Sequence, residues 1–177
     1  MAIKQRFAAI LPSKNKRLTL FFNLFVLLII ALLLFSKQQL IPSLFAQILS
    51  ALLLLLLVYI YSGRIIAYEL SNNELKIIRP FKNKIIPFSQ IQDMWIVRFP
   101  HLYIKKKIIA SGGLWGDYGT YYSDRYGKLK LYTTELNQNI LLTTNANQKL
   151  VLSPKEIVAF LDAFYLLKEE GKRNITS

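Results

Sequence analysis

The chain has 177 residues, with 23 Lys and Arg against 10 Asp and Glu, one His and no Cys. That length allows one ordinary domain, or a smaller one with membrane anchors. The lack of Cys excludes disulfide frameworks, Cys-ligated zinc, iron–sulfur clusters and thiol nucleophiles, and one His leaves little for imidazole chemistry. A mean hydropathy of +0.31 beside a net charge of +13 becomes intelligible once the apolar residues are mapped, because they gather in two blocks near the N-terminus.

Residues 1–17 form a basic N-terminal segment carrying Lys4, Arg6, Lys14, Lys16 and Arg17 and no acid. Ile3, Phe7, Ile10 and Leu11 recur at helical spacing before Pro12 breaks the pattern. Two readings stay open here: a short helix lying on an anionic leaflet, or a leader whose charges only set topology.

Residues 18–35 and 44–61 are each free of charge, with Thr19, Asn23, Gln47 and Ser50 as their polar exceptions. At about 1.5 Å per residue each block spans about 27 Å, close to the hydrocarbon thickness of a bilayer. Both are apolar on every face, which predicts two transmembrane helices rather than core helices with one apolar stripe. The link between them holds only Lys37, whereas 17 basic and 10 acidic residues follow the second block, beginning with Arg64. The positive-inside rule therefore places both termini in the cytoplasm, with Tyr59 and Tyr61 at a membrane interface.

From Arg64 onward, short runs rich in Ile, Leu, Tyr and Thr alternate with Asn, Gly and Ser clusters. Seven strands are predicted, at 65–70, 74–79, 84–87, 93–99, 128–134, 139–144 and 149–152, forming a small barrel or a pair of packed sheets. Ser153, Pro154 and Glu156 then predict a capped helix start. Ile157, Phe160, Leu161, Phe164 and Leu167 line one face of that helix, which is expected to end near Gly171 and to plug one opening of the sheets. Residues 64–170 make up this domain and 171–177 a tail.

Residues 101–127 fall between the fourth and fifth strands. Ser111 to Tyr122 mixes glycines with Trp115, Tyr118, Tyr121 and Tyr122 and matches no phosphate-binding motif. Such a segment either packs its rings on a sheet or presents them for recognition. Lys105, Lys106 and Lys107 lie just upstream and suit lipid headgroups or a solvated loop. These lysines with Trp115, Tyr118 and Tyr121 form the candidate binding surface.

The stretches GGLWGDYGTYYS at 112–123, GKLKLYTT at 127–134, ILLTT at 140–144 and KLVLSPKEIVAFLDAF at 149–164 carry a family resemblance. Residues 65–167 resemble a bacterial pleckstrin-homology-like (PH) domain. The resemblance implies a seven-stranded, strongly bent β-sandwich or partial barrel capped by a C-terminal helix and often attached to membrane spans; with the helical hairpin read above, the expected chain is α+β. It transfers no catalytic or ligand residues. Eukaryotic relatives often bind phosphoinositides through a basic first hairpin, but that turn here reads Ser71-Asn72-Asn73-Glu74 without a basic cluster.

The expected function is a non-enzymatic module of the bacterial inner membrane that binds a protein partner, a second copy or lipid headgroups. The alternative is a small accessory subunit of a transporter or membrane enzyme complex, with Asn23, Gln47 and Ser50 bonding to other helices. A hydrolase built on Asp93, Asp117, Asp124 and Glu135 lacks a nucleophile elbow or metal-ligand spacing. No cofactor, metal, nucleic acid or small-molecule substrate is expected.

Overall fold

The computed structural model describes residues 4–9, 11–35, 43–111, 114–135 and 137–176. Ile3, Ile10, Lys37, Gly112 and Gly113, which enter the sequence reading above, lie outside the described residues. The elements run β1 (Gln5–Ala8), α1 (Ser13–Phe35), α2 (Ser43–Ser62), β2 (Ala67–Ser71), β3 (Glu74–Ile78), β4 (Lys84–Pro87), β5 (Ile91–Arg98), β6 (Ile104–Ser111), β7 (Asp117–Ser123), β8 (Gly127–Thr133), β9 (Gln138–Thr144), β10 (Lys149–Leu152) and α3 (Ile157–Thr176).

The strands form two sheets, one ordered β1-β2-β3-β4 and the other β5-β9-β10-β8-β7-β6. Neither closes into a barrel, so the architecture is a sandwich with a helical hairpin and a C-terminal helix. One core lies between the sheets and under α3, from Tyr68, Leu70, Leu75 and Ile77 across to Ile140, Leu142, Leu150 and Leu152. A second core, with Val97, Leu129, Leu131, Leu141 and Val151, lines the other face of the larger sheet and is filled by Leu102. Tyr68 joins the two sheets: its hydroxyl donates to the Tyr132 carbonyl at 2.6 Å and accepts the Ser153 N–H at 3.1 Å.

The N-terminal residues depart from the helical reading. Residues 5–8 are an edge strand, pairing Gln5 with Leu70 and Ala8 with Ala67. The open edge of β2 offers backbone partners that a peptide-length helix lacks, and Phe7 packs edge-on against Phe160 with ring centroids 5.1 Å apart. The helical hairpin is thus inserted between two neighbouring antiparallel strands, β1 and β2. β1 thus adds to the smaller sheet a strand from before the helices.

The predicted seven strands are all present, and β1, β6 and β7 add to them. Within residues 101–127, β6 and β7 pair antiparallel, so the lysines lie on a strand and not in a solvated loop. Strand β6 carries three consecutive lysines because it is an edge, where period-two burial is relaxed.

The C-terminal helix covers the sandwich as expected, with Phe160, Ala163, Phe164 and Leu167 buried. Two details differ. The helix starts at Ile157, because the Ser153 hydroxyl is engaged by the Thr134 N–H at 2.8 Å and ties the end of β8 to β10 instead of capping. It also runs past Gly171 to Thr176. Gly171 there permits close approach to the β2–β3 turn, since an added Cβ would sit 3.3 Å from the Asn73 side-chain oxygen.

Both N-terminal helices are long and apolar enough to cross a membrane. Most of their apolar side chains are exposed, including Phe21, Leu28, Leu32, Leu44 and Leu55. Among the described residues, Thr19, Val26 and Ile30 of α1 and Ala46 and Ser50 of α2 are buried, and the small pair at i and i+4 in α2 lets helix backbones approach closely.

Candidate functional site: the collar at the foot of the hairpin

A helix ends with carbonyls that lack intrahelical partners. At the end of α2 the Ile60 carbonyl receives the Tyr118 hydroxyl at 2.8 Å and the Gly63 N–H at 3.3 Å. Gly63 is buried against the Tyr118 ring; a Cβ added there would lie 1.9 Å from the ring's Cζ. Only a residue without a side chain lets the chain leave α2 beneath that ring.

Three separate stretches bring their aromatic rings to this place. Tyr61 of α2 meets Trp115 of the β6–β7 loop edge-on at 5.4 Å and Phe81 of the β3–β4 turn at 6.3 Å. The Arg64 guanidinium lies 4.8 Å from the Trp115 ring centre and 6.0 Å from that of Tyr61, a cation–π arrangement that also sets a cation at the helix C-terminus. On α1 the Thr19 hydroxyl donates to the Leu114 carbonyl, so the β6–β7 loop holds both helices. Gly116, just before β7, has a φ of 117°, and an added Cβ would strike the Thr133 carbonyl at 2.4 Å. This glycine is what lets the loop turn toward the helices while β7 stays paired to β8.

The six residues of the expected binding surface therefore divide into three groups. Trp115 and Tyr118 are half-buried in the collar. Tyr121 is 2% exposed and belongs to the second core. Lys105, Lys106 and Lys107 are exposed on β6, the outer strand of the larger sheet. Bulges at 104–106 and 107–109 interrupt its pairing. Lys105 sits 3.6 Å from Asp124, Lys106 is opposite Tyr122, and the Lys107 amine lies 5.9 Å from the Tyr121 ring centre. Lysines and bulges on an edge strand also prevent strand-to-strand association.

Burial raises the Asp117 carboxyl above its ordinary range, against the opposing pull of Lys107 and a hydrogen bond from Tyr121. The same burial, with the neighbouring Asp117 charge, pushes the Tyr121 hydroxyl up. The other carboxylates are scattered over separate partners: Asp93 accepts from Tyr165 at 3.0 Å, Asp124 faces Lys105, and Glu135 accepts from Asn137 at 2.6 Å. Among the described residues no three His, Asp or Glu side chains gather where a metal ion would sit.

Phe81 and its turn belong to this collar and were not among the expected surface residues. The signal was present as an aromatic among cations, Arg79-Pro80-Phe81-Lys82-Asn83-Lys84, but its place beside Tyr61 depends on the fold.

Comparison with known proteins agrees with this architecture. The family model described as Bacterial PH domain matches residues 66–166, from the start of β2 into α3. The match leaves out β1 and the helical hairpin. No curated protein and no solved structure matches the chain.

Proposed function

The chain belongs to the bacterial PH domain family, and on that premise we propose that it is a non-enzymatic recognition module anchored in a membrane by α1 and α2. PH domains are in general binding modules for proteins or lipids. In this reading both helices cross the bacterial inner membrane, and both termini and the sandwich lie in the cytoplasm. The distribution of Lys and Arg supports that orientation, because the basic residues flank the hairpin on the side of the β domain.

The observation that carries the proposal is the grip of the β6–β7 loop on both helices through Tyr118, Trp115 and Thr19. It sets the sandwich directly at the end of the apolar stretch, in one orientation. The basic edge strand then faces a membrane-proximal partner at a high effective concentration, so modest contacts suffice. Lys105, Lys106 and Lys107 are the contact residues, with exposed Tyr122 beside them. Trp115 and Tyr118 position that edge, and Tyr121 supports it from beneath.

The test uses the full chain in bacterial membranes. A reporter fused after Ser177 should be active only in the cytoplasm. A photoreactive residue at Tyr122 should capture a protein or lipid adduct, and replacing the three lysines by Glu should abolish most of the capture without releasing the chain from the membrane. An externally active reporter, or capture indifferent to the lysines, overturns the proposal.

Gln47 supports a second reading, that of an accessory subunit. It is exposed on α2 within the apolar stretch, where an amide gains by bonding to another helix. A stoichiometric membrane partner retained in mild detergent, and lost on Gln47→Leu, distinguishes it.

A further inference from the structure

Phe81 is an apolar ring held out from the protein. It is 67% exposed at the tip of the β3–β4 turn, yet the turn beneath it is firmly built. The Arg79 Nε–H donates to the Lys82 carbonyl at 2.7 Å, and the Arg79 backbone N–H donates to the Asn83 side-chain oxygen at 3.1 Å. The Arg79 guanidinium also lies 5.8 Å from the Tyr132 ring centre, which anchors the turn to the second sheet. Arg79 thus works inward, while Lys82 is exposed and Lys84 half-exposed beside the projecting ring.

The place of this turn indicates what covers it. β2 and β3 are antiparallel, so the β2–β3 turn and the β3–β4 turn lie at opposite ends of the small sheet. The β3–β4 turn is at the end where the chain leaves α2, and its Phe81 touches Tyr61 of that helix. The β2–β3 turn, with Asn72 and Asn73, is at the far end. An exposed aromatic ring continuous with the end of a membrane-length helix, and flanked by two amines, has the composition of a membrane-interface contact.

From this we infer that the β3–β4 turn is a lipid-binding site: Phe81 enters the boundary between headgroups and acyl chains beside Tyr61, and Lys82 and Lys84 bind anionic phospholipid headgroups of the same leaflet. The inference rests on the reading that α2 spans the membrane, and it adds a third attachment of the sandwich to the bilayer. It also places lipid recognition at the end of the sheet opposite the β2–β3 turn, which has no basic cluster.

The lack of Cys in the chain allows one fluorophore to be placed at will. Phe81→Cys, Asn72→Cys and Leu55→Cys are each labelled with an environment-sensitive dye in the full chain. The proteins are reconstituted into phosphatidylcholine vesicles with and without phosphatidylglycerol, containing lipids with a nitroxide quencher near the headgroup or deep in the acyl chain. The Leu55 dye should be quenched by the deep probe in both vesicles. The Phe81 dye should be quenched by the shallow probe, more strongly with phosphatidylglycerol, and the Asn72 dye by neither. Lys82→Glu with Lys84→Glu should remove the gain due to phosphatidylglycerol. A Phe81 dye as aqueous as the Asn72 dye, with Leu55 still quenched, overturns the inference and leaves the span intact. A Leu55 dye that is not quenched overturns the span and the inference together.

Discussion

Leu55 of α2 and Leu141 of β9 are the same side chain in opposite situations, 65% exposed in one and fully buried in the other. The contrast extends to whole regions. The helical hairpin turns its apolar residues outward on nearly every face, while the sandwich encloses its own in two cores. Burying apolar surface is worth about 25 cal/mol per Å², so the outward face of the hairpin gains from an apolar environment while the sandwich supplies its own. The collar is where one regime gives way to the other. There the contacts change kind, from small and aliphatic side chains between helices to rings, a guanidinium and hydroxyls donating to helix-end carbonyls.

The comparison breaks most severely at Tyr68, which belongs to the sandwich alone. Tyr68→Ala removes a fully buried ring and strands the Tyr132 carbonyl and Ser153 N–H, a loss of about 3–5 kcal/mol. Denaturant unfolding followed by tryptophan fluorescence should register that loss while the chain stays in the membrane fraction. Release from the membrane would mean that the two regions are not separately stabilised. Burial pushes the Tyr68 hydroxyl from 10.0 up to about 12. The folded form therefore keeps a proton that the unfolded form gives up, so this contribution is intact below pH 10.0 and is lost as pH rises through about 12. The stability gap between the natural chain and Tyr68→Phe should narrow across that window.

The collar offers an intermediate effect. Gly63→Ala drives a methyl into the Tyr118 ring and displaces its hydroxyl from Ile60, at about 1–3 kcal/mol for overpacking. In a Trp95→Phe background, Trp115 fluorescence should report a looser, wetter junction. Tyr118→Ala should have a similar effect, and the two changes combined should add little to either alone. Full additivity would mean that ring and glycine do not act as one contact.

The smallest effect is expected at Asp117, on the inner side of the basic edge. Its carboxyl is raised by burial, so the charged form present at neutral pH is disfavoured in the fold, and stability falls as pH rises from 3.8 through the folded value. Asp117→Asn should raise the melting temperature in detergent modestly at pH 7, with the difference vanishing below pH 3.8. A loss of stability at pH 7 would assign the carboxylate a pairing role that outweighs its desolvation.

The helices, seven strands, the Ser71-Asn72-Asn73-Glu74 turn and the apolar face of α3 are legible because each follows from the residues within its own stretch. Charge-free runs name the helices, alternation names the inner strands, and the spacing of Phe160, Phe164 and Leu167 names the buried stripe. β1 and β6 were not legible because both are edges: one neighbour supplies their backbone partners, and Lys105 to Lys107 need no buried face. Ser153 read as a cap because the nearby Thr134 N–H that claims it lies 19 residues away in the chain.

The candidate site divides in the same way. The residue types were in view, since Trp115, Tyr118 and the lysine run stand out in any reading, yet their grouping was not. Sequence neighbours in a strand point to opposite sides, so Tyr121 went to the core and Tyr122 to the surface. Phe81, Tyr61 and Trp115 come from three separate stretches and meet only because β1 and β2 close around the helical hairpin. Composition and local periodicity by themselves determined that the chain is a membrane-length hairpin joined to a β domain. Which residues form the joint was decided by tertiary structure, because contacts between distant segments leave no period in the sequence.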